Sequence, residues 1–315
     1  MNMAVKINKN VPLKDFTTYK IGGPARAYVK VSQAEELPEV FEGIRGIHQP
    51  YVVLGGGSNV IIADRGFPGT VIHMQTRGIN QEDERLVIEA GEPLAQVVAA
   101  SVAAGLAGLE WASGIPGTLG GAVLGNAGAF YGNMAQAVKS VEVFDPITSE
   151  FKIYSGAECE FSYRSSRLKK TGEVIVRATL ALTPGDPTEL KRKADQIKEY
   201  RLGRHPQEPS VGSVFQNITD MKFIKPFIEG NPDAREHYKL RWKGKIPSAY
   251  LIEAAGLKGF RIGGAQIAHK HSAFIINTGR ATAEQVAMMT GLIKERVWNK
   301  FGVYLREEVR YIGFN

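Results

Sequence analysis

Apolar residues along this chain fall into two rhythms, short unbroken runs and stripes spaced three or four apart, and the alternation of the two predicts a mixed fold. Ser32 and Glu35 stand at capping-box spacing ahead of Leu37, Val40, Phe41 and Ile44, which share one helical face. The runs 51–54 and 70–73 are bounded by Gly, Asp and Pro and read as buried strands, giving an α/β lobe over 1–75. Over 76–203 the pattern turns sheet-rich: strands at 86–90, 141–144, 151–154 and 174–182, with an alanine-rich helix at 94–104. Thr183, Pro184, Gly185, Asp186 and Pro187 break the pattern, and 189–202 has helical composition. A third lobe, 204–300, is expected to hold a helix at 248–255, strands at 262–267 and 273–277, and a long helix from Thr282 with Val286, Met289, Ile293 and Val297 on one side. A closing strand at 303–312, within 301–315, ends the chain.

Composition narrows the class. Of 315 residues, 43% are hydrophobic and 23% charged, as in ordinary globular proteins. No apolar run approaches the roughly 20 residues of a membrane helix. The first twenty residues carry Lys6, Lys9, Lys14 and Asp15 and lack the core of a secretory signal, so a cytoplasmic location is expected. Cys159 is the single cysteine, which excludes an internal disulfide and any multi-cysteine metal site. The net charge of +7 suits phosphate-bearing small molecules. The basic runs 167–170 and 191–193 are short and lack interleaved aromatics, so nucleic acid is not expected as a partner. His269 and His271 have a metal-like spacing but no third ligand, and no metal is expected.

Candidate chemistry begins at two glycine-dense loops. Leu54 ends a strand and leads into Gly55, Gly56, Gly57, Ser58 and Asn59, where backbone N–H groups are able to curl around an anion. The second loop runs through Gly114, Ile115, Pro116, Gly117, Thr118, Leu119, Gly120, Gly121 and Ala122, then Gly125, Asn126, Ala127 and Gly128. Neither is a P-loop or a Rossmann glycine fingerprint. Each alone reads equally well as a tight turn; the pair points to a dinucleotide.

These loops, together with Tyr19, Lys20, Ile21, Gly22, Gly23, Pro24 and Ala25, resemble the FAD domain of the UDP-N-acetylenolpyruvoylglucosamine reductases. The resemblance continues through Tyr163, Arg164, Ser165 and Ser166, the segment 212–217, the segment 256–259, Ile262 to its following glycines, and Glu308, Val309 and Arg310. It implies an α+β protein: a two-lobe FAD-binding domain of the vanillyl-alcohol-oxidase-like (PCMH) type, with lobes 1–75 and 76–203, and a C-terminal α/β substrate domain. It also implies non-covalent FAD, NADPH as hydride donor, a UDP-sugar substrate, and a monomer or weak oligomer.

By the same resemblance Ser213 is the proton donor, and Arg164 and Glu308 hold the substrate carboxylate and stabilise the intermediate. A guanidinium suits a carboxylate because it binds in a two-pronged way and keeps its charge. Glu308 beside an anionic intermediate must be protonated or paired with a cation such as Arg164. Its neighbour Glu307 is expected to be a solvated surface charge. Tyr163, Arg201, Arg204, Asn217 and His271 are further substrate-binding candidates, although Arg201 reads equally as a charge at a helix C-terminus.

Two departures stand out. Between Arg164 and Arg204 there is no room for a further tyrosine-bearing substrate loop, so the chain resembles the branch that lacks it. After Asn217 an insertion, 218–246, carries Pro226, Phe227, Trp242 and several lysines, and reads as a lid or a partner surface. An alternative within the fold is an FAD-dependent alcohol or sugar oxidase, which favours a covalent flavin on His or Cys; the Gly55 loop contains neither. A non-catalytic nucleotide- or RNA-binding module is a third reading.

Overall fold

The computed structural model describes residues 6–47 and 49–314. They divide into two compact units interleaved in sequence. The first takes the stretch up to Val11, Pro24–Gly57 and Phe67–Gly203, and the second takes Pro12–Gly23, Ser58–Gly66 and Arg204 onwards.

The first unit is built on two sheets. One places Pro24–Val31, Phe67–Met74 and Tyr51–Leu54 side by side in parallel, with Ile7–Pro12 on the outer edge. The helix Leu37–Ile47 lays Leu37, Val40, Phe41 and Ile44 into a core with Val29, Val31, Ile72 and Met74. Its entry differs from the expected capping box. A 3-10 turn, Ala34–Glu36, precedes it, and the Ser32 N–H donates to the Glu36 carboxylate at 3.0 Å rather than to Glu35. The residue that can reach back is set by that extra tight turn.

The second sheet is antiparallel, in the order Glu150–Ser155, Val138–Asp145, Val174–Ala181, Arg85–Glu89, Ile79–Glu82. The helices Leu94–Ala103 and Leu119–Leu124 contribute Leu94, Val97, Leu119 and Val123 to the core beneath it. Cys159 is buried in that core, and desolvation pushes its thiol up to about 11, which leaves it inert at neutral pH. The helix expected at 189–202 is Pro187–Arg204.

In the second unit the helix Ala283–Phe301 is opened by Thr282, whose hydroxyl accepts from the Gln285 N–H in a capping box, and closed by Gly302. Val286, Met289, Ile293 and Val297 are fully buried along one face. The stretch expected as one strand over 262–267 is a hairpin instead: Arg261–Ile262 turns back at Gly263 and Gly264 to pair with Ala265–Ile267. Two adjacent glycines favour the chain reversal over a continuous strand. The closing strand is shorter than expected, Arg310–Ile312, and pairs in parallel with Val60–Ile62.

The insertion is helical and anchored. Ile218 and Ile246 exchange both backbone hydrogen bonds at its neck, at 2.9 and 3.0 Å. Beyond the neck lie helices Met221–Gly230 and Pro232–His237 and a π-helical turn, Tyr238–Trp242. Ile224, Phe227 and Ala234 are buried in the same core as the long helix, and the Phe227 ring meets Phe301 edge-on at 5.5 Å.

Candidate active-site elements

In the first unit the two glycine loops meet. A Cβ on Gly55 would lie 2.5 Å from Thr118 Oγ1, and one on Gly56 would lie 2.8 Å from Gly117 Cα. Side chains at 55 and 56 would therefore drive the loops apart, so glycine is needed for the approach. That contact is the property a shared diphosphate cradle requires, and the side-chain-poor lining fits FAD.

Part of the second loop is committed internally. The Leu119 and Gly120 N–H groups donate to the Glu92 and Ala90 carbonyls at 2.9 and 2.8 Å, and Thr118 caps the Gly121 N–H. Beneath the first loop stands His73, across the strand pair from Leu54. Its Nδ1 is 2.7 Å from Tyr28 Oη, and a hydrogen bond ties the ring to the Gly55 backbone. Burial, with Arg77 and Lys30 nearby, holds its pKa at about 4, so the ring is neutral. Sequence reasoning missed His73, because only the strand register brings it under the glycines.

Tyr163 and Arg164 form the tip of a two-residue turn closed by Ser162 and Ser165, which exchange backbone bonds of 2.9 and 3.1 Å. Arg164 has a left-handed φ of 57°, donates from Nη1 to the Gly128 carbonyl at 2.9 Å, and stands 5.5 Å from the Tyr163 ring centre. Arg201 is tied to the residues that lead into the same loop: its Nε and Nη2 donate to the Ser113 and Trp111 carbonyls at 2.9 and 3.3 Å. Desolvation first, and then the charge of Arg164, lower its pKa. Ile115 packs on the core, whereas Arg204, the last residue of its helix, is exposed. Ala122 is buried, and Asn126, also buried, is occupied by protein groups on both ends of its side chain.

In the second unit the segment carrying Ser213 is held on both sides. Ser213 pairs with Phe274, the Val214 N–H donates to Ala273 at 2.9 Å, and on the other side the Glu308 N–H donates to the Val214 carbonyl at 2.8 Å. Ser213 and Glu308, distant in sequence, are thereby brought to adjacent extended segments, both half-buried. Asn217 ends the segment, its Oδ1 accepting from the Ser248 N–H at 3.2 Å. His271 lies edge-on to His205 at 5.5 Å and to Phe274 at 4.9 Å, and burial lowers its pKa. His269 takes a different course and packs against Gly259.

Glu307 departs from expectation. It is not a solvated surface charge but is about three-quarters buried and ion-paired with Lys294 at 2.9 Å. The loop residues Ser58 and Asn59 fall on the second unit's side of the division. Asn59 is engaged with the closing segment: its Nδ2 donates to the Glu308 carbonyl at 3.1 Å and its own carbonyl accepts from the Arg310 N–H at 3.0 Å.

Comparison with known proteins matches residues 25–149 to an FAD binding domain and 205–312 to the C-terminal domain of UDP-N-acetylenolpyruvoylglucosamine reductase. A UDP-N-acetylenolpyruvoylglucosamine reductase of Synechococcus sp. (strain JA-3-3Ab) is 37% identical over 98% of this chain and 92% of its own length. One from Carboxydothermus hydrogenoformans is 38% identical over 97% of this chain and 93% of its own. The crystal structure of the Thermus caldophilus enzyme superposes with a TM-score of 0.74 at 33% identity, covering 98% of both chains.

Proposed function

Because the chain belongs to the UDP-N-acetylenolpyruvoylglucosamine reductase family, we propose that it reduces the enolpyruvyl ether of a UDP-amino sugar to the lactyl ether of UDP-N-acetylmuramate, a precursor of peptidoglycan. The observation that carries this reading is identity above a third along nearly the whole chain, spanning both the FAD-binding and the C-terminal parts. FAD, when bound, takes hydride equivalents from NADPH and delivers them to the substrate.

The loops at Gly55, Gly56 and Gly57 and at Gly114, Ile115, Pro116, Gly117 and Thr118 would hold the cofactor, with Leu54, Gly120, Gly121 and Ala122 shaping the bed. Addition of hydride to the methylene carbon leaves negative charge on the α-carbon and its carboxylate. Arg164 would bind that carboxylate, and the Ser213 hydroxyl would supply the proton to the α-carbon. Glu308 would act beside Ser213 from the adjacent segment. Tyr163, Asn217, Arg204 and His271 would contact the substrate. Arg201 would act through the Trp111 and Ser113 carbonyls, by holding the second loop in place. We place the reaction in the cytoplasm, carried out by a monomer or weak oligomer. No helix among the described residues is long and apolar enough to cross a membrane.

An anaerobic titration tests the reading. One equivalent of NADPH should bleach the flavin absorbance, and one equivalent of the enolpyruvyl UDP-sugar should restore it. Flavin that stays reduced after the sugar is added would refute the assignment.

A further inference from the structure

We propose that Asn126 is a positioning residue for Arg164 rather than a contact of the cofactor. The inference rests on the reading of Arg164 as the carboxylate-binding group, but its geometry lies wholly within the first unit. Asn126 follows the helix Leu119–Leu124, is 8% exposed, and holds a left-handed φ of 42°. Asparagine tolerates that backbone conformation better than most residues, so the side chain is delivered from a turn. Its two ends are both taken: Nδ2 donates to the Ser162 carbonyl at 2.9 Å, and Oδ1 accepts from the Ala135 N–H at 3.0 Å. A carbonyl can only accept and an N–H can only donate, so the amide has one orientation that satisfies both.

Ser162 is the base of the turn that carries Arg164. Its carbonyl accepts from the Ser165 N–H across the turn as well as from Asn126. The guanidinium itself is referred to the same loop through Gly128, two residues beyond Asn126. A third tie, from Ser166 Oγ to the Leu124 carbonyl at 2.7 Å, joins the two segments on the other side of the turn. Backbone and side chain of Arg164 are therefore located against one short stretch of loop, and Asn126 is the residue bonded to the turn's base. Arg164 also holds a left-handed φ, which neighbouring contacts must enforce. Loss of the Asn126 bond frees the turn to relax and displaces the guanidinium, and misplacement of about 1 Å is enough to slow an oriented reaction on the order of a hundredfold.

The test is Asn126→Gly, which accommodates the positive φ and deletes both arms. With FAD saturating, bleaching by NADPH should stay within about twofold of wild type, while reoxidation by the enolpyruvyl UDP-sugar slows ten- to a hundredfold, on the scale of a displaced group. In turnover the loss should fall on kcat more than on KM for the sugar. A readout independent of turnover is trypsin cleavage after Arg164, assigned by mass spectrometry, which should accelerate in the variant. If Asn126→Gly does not accumulate as folded protein, Asn126→Asp, which keeps the acceptor for Ala135 and loses the donor to Ser162, takes its place with the same expected pattern. Wild-type reoxidation in the FAD-saturated variant, or unchanged cleavage after Arg164, would overturn the proposal. Should the wild type itself fail to pass electrons to the sugar, the functional reading falls and the cleavage comparison still decides the role of Asn126.

Discussion

Substitutions at single residues are predicted to separate the half-reactions. Ser213→Ala removes a hydroxyl and leaves the Val214 to Ala273 and Glu308 to Val214 backbone bonds in place, so the segment should keep its course. NADPH-driven bleaching should be near normal and reoxidation by the sugar at least about tenfold slower, the usual scale for losing a general acid. Equal loss in both half-reactions, followed by stopped-flow absorbance, would remove Ser213 from that role. Arg164→Lys should act on the same half-reaction, since a point charge does not reproduce the planar fork; unchanged kinetics would exclude the guanidinium.

His73 gives a prediction of a different kind. Its folded pKa of about 4 lies below the ordinary histidine value of 6.5, so between those values the unfolded chain binds the extra proton. Stability from this group is complete above pH 6.5 and is lost as pH falls toward 4. Between pH 7 and pH 4.5 urea titrations should show wild type losing about 2 kcal/mol more than His73→Gln. Parallel losses in the two proteins would mean that His73 is not held neutral beneath the Gly55 loop.

At the scale of elements, local signals were legible and tertiary ones were not. The helix Ala283–Phe301 could be read because cap, apolar stripe and terminal glycine all lie within its own sequence. The Gly55 and Gly114 loops were recognisable as unusual, but that they need glycine in order to meet each other depends on a strand register no local pattern contains. Glu307 and Glu308 looked alike but for the resemblance; Lys294, thirteen residues away on the long helix, is what distinguishes Glu307. The insertion was legible as ordered, yet neither its neck nor its contribution to the core was. Those burials argue against a freely hinged flap and give a graded test. Phe227→Ala should lower the unfolding free energy by about 3–5 kcal/mol, as for a buried aromatic. Leu240→Ala, at a position 70% exposed, should stay within about 0.5 kcal/mol. Equal effects in denaturant titrations would show that the segment does not share the core.

Across the whole molecule, chain order and packing order differ. The match to a C-terminal domain begins at residue 205, but the compact unit that contains it also takes Pro12–Gly23 and Ser58–Gly66. These early segments are integral to it. Val60–Ile62 is the partner of the closing strand, and the Asp64 carboxylate accepts from the Ala283 and Glu284 N–H groups at 2.9 and 3.1 Å, at the start of the long helix. Tyr19 is fully buried in the core, and its carbonyl accepts from the buried Asn277 side chain at 3.1 Å. The paired glycines of the early motif acquire a reason here as well: a Cβ on Gly23 would fall 2.2 Å from the Asp64 carbonyl oxygen, so the motif keeps these two early segments in contact. A chain beginning at Arg204 would lack the strand partner, the helix cap and a large core side chain together, while stability margins are only about 5–15 kcal/mol. Residues 204–315 expressed alone should therefore show no cooperative thermal transition by circular dichroism and poor amide dispersion by NMR. A sharp two-state transition from that fragment would mean that the early segments decorate a self-sufficient domain instead of completing it.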